Sequence, residues 1–113
     1  VYDVLGPTET RLDCKGLIEG VGLPAGSLGA HKHSPGSGQE KKYQVEVPNH
    51  VAGLERIFAT LPQETLDSIQ VVGHRVVNGG SDLTTPVVVD EAVEEIIQGA
   101  CLLAPLHNPA NLS

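Results

Sequence analysis

The run from Ile69 to Val77 constrains this chain more than any other stretch. It is apolar almost without a break and is closed by Asn78-Gly79-Gly80. A short apolar run ended by Asn and Gly reads as a buried strand leading into a tight loop. Side chains alternate faces along a strand, which puts Gly73, Arg75 and Val77 on one side and Val72, His74 and Val76 on the other. A guanidinium beside a small apolar wall, with a glycine leaving space, can hold a small carboxylate, its head on Arg75 and its tail against Val77. Ligands of open α/β sheets gather at the carboxyl ends of strands, where Arg75 is expected to lie. An arginine tied into a structural ion pair at the strand end stays open as the other reading.

Length limits what can be built around that strand. The 113 residues make at most one domain with a modest core. A hydrophobic content of 40% is ordinary for a globular chain. With only Tyr2, Tyr43 and Phe58 as aromatics, the core is expected to come from Val, Leu, Ile and Ala. A formal charge of −7 argues against nucleic acid or an anionic membrane as partner, because phosphate binding needs clustered Lys and Arg. No window reaches the length of a transmembrane helix. Cys14 and Cys101 fit no metal or redox spacing and read as buried free thiols of a reducing, cytoplasmic compartment.

Taken in order, Val1–Val4 alternates as a short strand, and residues 11–21 resume the alternation as its hairpin partner, with Leu12 and Cys14 on one face. Residues 23–42 are rich in Gly, Ser, Pro and Lys and read as a surface loop. His31 and His33 lie within it. That pair is expected to be solvated, since no third metal ligand is near. Tyr43, Val45 and Val47 alternate as a third strand. Asn49 then caps a helix whose Val51, Leu54, Ile57, Phe58 and Leu61 share one face. Residues 63–68 form a helical turn or a loop, and Val87–Val89 a brief extended stretch. Asp90 caps a second helix with Ala92, Val93, Ile96, Ile97 and Ala100 as its buried stripe.

The end of the chain carries a second candidate site. Asn108 suits an N-cap and Pro109 the first helical position, which places His107 beside a helix N-terminus, where an anion is favoured. A histidine that only helps to cap the helix is the competing reading. The chain opens without Met and stops as this helix begins, so it reads as a piece of something longer.

The run Val72-Gly73-His74-Arg75-Val76-Val77-Asn78-Gly79-Gly80, followed by Ala104-Pro105-Leu106-His107-Asn108-Pro109, resembles the acetate kinases. Lys15-Gly16-Leu17-Ile18-Glu19 and Val89-Asp90-Glu91 support the match, which covers nearly the whole chain outside the Gly/Ser-rich loop. The resemblance implies an α/β fold class: a partial ribonuclease-H-like domain of the actin/Hsc70/sugar-kinase superfamily, with a mixed sheet and flanking helices. Residues 1–113 would form one incomplete N-terminal domain. The resemblance further implies that Arg75 binds the carboxylate or the phosphoryl group in flight. Val77 and Leu106 would line the methyl pocket, with His107 near the reacting centre.

Two departures bear on that expectation. Most members of the family carry His where this chain has Asn78. The family's phosphate loop, its catalytic aspartate and its adenosine pocket are not in these residues. The expected activity is therefore that of a parent protein, which reversibly transfers the γ-phosphoryl group of ATP to acetate. ATP and Mg²⁺ would bind through groups outside this chain, and the parent would be a homodimer. Alternatives are a propionate or other short-chain carboxylate kinase, and a non-catalytic carboxylate-binding module.

Overall fold

The computed structural model describes residues 1–6 and 12–112, and the chain divides into two compact units, Val1–Pro62 and Gln63–Ser113. The first unit is a four-stranded sheet in the order β1 (Tyr2–Leu5), β2 (Leu12–Glu19), β3 (Gly29–Pro35), β4 (Lys41–Val45), followed by α1 (His50–Phe58). Each strand pairs antiparallel with the next, so the mixed pairing expected from the family likeness does not occur among the described strands. The hairpin of β1 and β2 forms as the alternation predicts. Arg11, expected to begin β2, lies outside the described residues.

The expected loop over residues 23–42 is the main correction. Residues 29–35 form β3, an inner strand bonded to β2 on one side and β4 on the other. Its pattern is period two, with Gly29, His31 and His33 buried and the residues between them partly exposed. Counting histidine as polar hides that alternation. His31 has no exposed surface and His33 very little, so neither is the solvated loop residue expected.

These histidines are buried because Tyr2 satisfies them. Its hydroxyl lies 3.0 Å from His31 Nε2 and 2.7 Å from His33 Nδ1. The register explains the meeting: Tyr2 pairs with Gly16, and Gly16 pairs with His33 on the far side. A side chain at position 16 would collide with the Tyr2 ring and the Lys32 carbonyl, so only glycine lets the ring lie across β2. His31 Nδ1 is buried without a hydrogen-bond partner among the described residues. A bare acceptor costs less there than a stranded N–H. The proton therefore sits on His31 Nε2, which donates to Tyr2, and the Tyr2 hydroxyl donates to His33 Nδ1.

Tyr43 continues the cluster, its ring centroid 5.8 Å from that of His31, and Arg56 stacks over Tyr43 at 5.3 Å. Asn49 caps α1 as expected, its Oδ1 accepting the Ala52 N–H at 2.9 Å. The helix meets the sheet through Gly53, where an added Cβ would lie 3.4 Å from Val47 and 3.8 Å from Ile18. Val47 and Leu61 are buried, while Val51, Leu54 and Phe58 are exposed, so only part of the expected apolar stripe is covered.

The second unit holds α2 (Gln63–Ser68), α3 (Glu91–Gly99), a 3₁₀ turn (Ala100–Leu102) and α4 (Asn108–Asn111). Asp90 caps α3, its Oδ1 accepting the Val93 N–H at 2.9 Å, and Ile97 of the helix is buried, as are Ala100 and Ala104 after it. The buried strand expected over Ile69–Val77 is not present. The segment takes no part in a sheet ladder among the described residues, and Val71 and Val72 are 85% and 78% exposed. Hydrophobic content can nominate a strand, but backbone partners on its flanks make one. Cys14 and Cys101 are free, Cys14 buried and Cys101 only partly so.

Burial lowers the pKa of both imidazoles, with Arg56 and His33 adding to the effect on His31 and Lys41 to that on His33. The Tyr2 hydroxyl is pushed up to about 12 by the same burial. A histidine depressed on folding stays neutral while its unfolded counterpart charges below about pH 6.5, so folding loses stability as pH falls through that range. The melting temperature of the first unit should therefore drop between pH 7.5 and 5.5. Tyrosine fluorescence reads this unit alone, because Tyr2 and Tyr43 are the chain's tyrosines and there is no Trp. Tyr2→Phe, which strands both rings, should cost about 1–3 kcal/mol at pH 7.5. A melting temperature that is flat across this range would show that the two imidazoles charge freely in the folded state.

Candidate carboxylate site

The four residues expected to form a site all lie in the second unit, on two segments far apart in sequence. Arg75 and Val77 end the extended run. Asn78-Gly79-Gly80 then turns the chain: the Gly80 N–H donates to Asn78 Oδ1 at 2.8 Å, and Gly80 sits at φ +68°, which favours glycine. Gly79 is equally constrained, since a Cβ there would lie 2.6 Å from Leu83.

Leu106 and His107 come from the second segment. The 3₁₀ turn continues α3, and the His107 and Asn108 N–H groups both donate to the Ala104 carbonyl, at 3.1 and 3.0 Å. This coils Pro105 and Leu106 tightly in front of α4. The expected N-cap shifts by one position. His107 occupies the cap (φ −121°, ψ −51°) without a side-chain capping bond, and Asn108 is the first helical residue. His107 thus directly precedes α4, which is described over Asn108–Asn111.

Asn108 is what joins the segments, and sequence reasoning assigned it only a capping role. It is completely buried. Its Oδ1 accepts the Asn78 N–H at 3.2 Å, and its Nδ2 donates to the Asn78 carbonyl at 2.7 Å and, more weakly, to the Ile97 carbonyl at 3.5 Å. Asn111, one helical turn on, accepts the Val77 N–H at 3.3 Å. The legible signal was two asparagines spaced to share one helix face, each able to donate and accept as a peptide does.

The remaining groups are open. Arg75 is exposed and has no ion-pair partner among the described residues, so the structural ion pair weighed above is not seen there. Val77 is half exposed, Leu106 is 85% exposed, and His107 is exposed as well. The segments thus carry an exposed cation without an ion-pair partner among the described residues and two exposed apolar side chains, residue types that suit a small carboxylate. Among the described residues no group of three or more His, Cys, Asp or Glu side chains gathers to hold a metal. No described helix is long and apolar enough to cross a membrane.

The first unit is a sheet with a helix, and in the second an arginine-bearing segment is clipped to Pro-Leu-His-Asn-Pro. The family model described as the Acetokinase family matches residues 1–113, and the chain belongs to that family. It is 35% identical to an acetate kinase of Syntrophomonas wolfei over 98% of its length, and 40% identical to one of Methanosarcina acetivorans over 98%. Those matches occupy 29% and 28% of the relatives, so the chain spans less than a third of the curated relatives it matches. Among solved structures it superposes on Porphyromonas gingivalis acetate kinase with a TM-score of 0.86 at 29% identity, covering 98% of this chain and 29% of that one. A propionate kinase from Francisella tularensis gives 0.84 at 24% identity, over 97% of this chain and 28% of that one, a likeness of fold alone. The chain is thus a partial α/β domain of the actin/Hsc70-like fold.

Because Arg75 is exposed and unpaired among the described residues, Arg75→Ala should change the stability of the chain by no more than about 0.5 kcal/mol. Gly80→Ala should cost about 1–2 kcal/mol, the usual strain of a left-handed non-glycine residue. Urea unfolding followed by far-UV circular dichroism measures both. The opposite ranking would identify Arg75 as a structural residue.

Proposed function

We propose that this chain is the part of an acetate kinase that receives the carboxylate substrate. In the parent reaction an acetate oxygen attacks the γ-phosphorus of ATP, the bond to the ADP oxygen breaks, and acetyl phosphate and ADP leave. The reverse reaction regenerates ATP. Arg75 neutralises the carboxylate and then the transferring phosphoryl group, using a planar fork of donors that matches both. Val77 and Leu106 form the apolar wall against the methyl group. His107 is an auxiliary polar group beside them. The observation that carries this reading is the pairing of an exposed, unpaired Arg75 with the clip that ties its segment to Leu106 and His107, in a chain matched throughout by the acetokinase family model.

ATP and Mg²⁺ belong to this proposal through groups outside these residues, as do a homodimeric parent and a cytoplasmic setting. Phosphoryl transfer relies on several charges acting together, and these residues hold one of them. The isolated chain should therefore make no acetyl phosphate. A propionate-preferring kinase differs only in how much room the wall leaves. A non-catalytic carboxylate-binding module would bind acetate without turnover.

Steady-state kinetics on the full-length kinase test the assignment. Arg75→Ala and Arg75→Lys should each lower turnover by roughly 10²–10³ with the fold intact, the usual cost of losing one well-placed donor. Val77→Ala should mainly raise KM for acetate and relax selectivity toward longer acids, since one methylene is worth about 1–3 kcal/mol. His107→Ala should lower turnover more than Asn78→Ala. Near-normal turnover in Arg75→Lys would remove the bidentate role.

A further inference from the structure

Asn108 carries more than its place in the turn requires. It is fully buried, yet its recorded hydrogen bonds all run to main-chain atoms, two of them to the N–H and carbonyl of Asn78. A carboxamide presents one acceptor and a paired donor, as a neighbouring strand would. Asn111 repeats the contact one residue earlier, at the Val77 N–H. One turn of helix thus grips two consecutive residues, and through them three consecutive peptide groups, of the segment that bears Arg75 and Val77.

We infer that Asn108 is a positioning residue of the carboxylate site, setting the separation and orientation of Arg75 and Val77 relative to Leu106 and His107. The inference rests on the acetate kinase reading above. The geometry makes the coupling short. His107 is bonded directly to Asn108, and Arg75 is three Cα steps from Asn78, at most roughly 11 Å of chain. Neither segment joins a sheet among the described residues, and the clip supplies hydrogen bonds at the end of the arginine-bearing segment. It reads the main chain of residue 78. The side chain there matters through its own bond to Gly80.

The test uses the full-length kinase with Asn108→Asp, Asn108→Ser and Asn78→Ala. Asp keeps an acceptor for the Asn78 N–H but turns an oxygen toward the Asn78 carbonyl. Ser is too short to span both groups. Both Asn108 variants should still melt cooperatively, while kcat/KM for acetate falls by about 10-fold to 10²-fold, the scale of an ångström-sized misplacement. The preference for acetate over propionate should narrow at the same time, because the cation and the wall no longer keep their spacing. Asn78→Ala should lose less than either. If one Asn108 variant fails to fold, the other decides. A lower melting temperature with unchanged kcat, KM and acid preference would show that Asn108 only packs, and would overturn the inference. A wild-type kinase inactive on acetate would instead overturn the functional reading, and this inference with it. An active wild type with unaltered Asn108 variants overturns this inference alone.

Discussion

Buried peptide groups must find hydrogen-bond partners, and each unit of this chain meets that demand differently. In the first, β3 lies between β2 and β4 and its backbone is paired on both sides. In the second, the extended run has no ladder among the described residues, and two asparagine side chains supply the bonds at its end. A side chain that imitates a peptide acts at a single point, where a strand acts along its length. In the second unit the asparagine bonds fall at Val77 and Asn78. Arg75 lies two residues before the first of these bonds and is exposed.

What could be read from the sequence was whatever depends on near neighbours. Asn49 and Asp90 mark helix starts because a cap bonds to an N–H three residues on, and both bonds are present. The β1–β2 hairpin followed from alternation. What failed depends on remote partners. His31 and His33 scored as polar loop residues because nothing local shows that a tyrosine near the start of the chain will satisfy them. Ile69–Val77 scored as a strand because apolar residues nominate one without saying what it pairs with. Asn108 was legible as a cap and hidden as a bridge, since its true partner lies thirty positions away.

The candidate site divides in the same way. Arg75, Val77, Leu106 and His107 stand out as residue types beside a turn and a proline-rich segment. The bond that relates the two segments lies in Asn108, a residue with no substrate-facing chemistry of its own. The exposure of Val77 and Leu106 is compatible with a wall that gains its shape in the longer protein, given that the chain spans under a third of its relatives.

Gly16 has a wider consequence. Tyr2, Gly16 and His33 stand in one row across three strands, and the tyrosine ring occupies the space that a side chain at position 16 would need. A larger residue at 16 would evict the ring and leave two buried imidazoles without their shared hydroxyl. A smaller residue at 2 would do the same, while freeing position 16 to grow. These positions are thus tied as a set. Among homologues they should be inherited or exchanged as a block, so that a lineage carrying alanine or serine at 16 would be expected to have lost the tyrosine and at least one histidine with it.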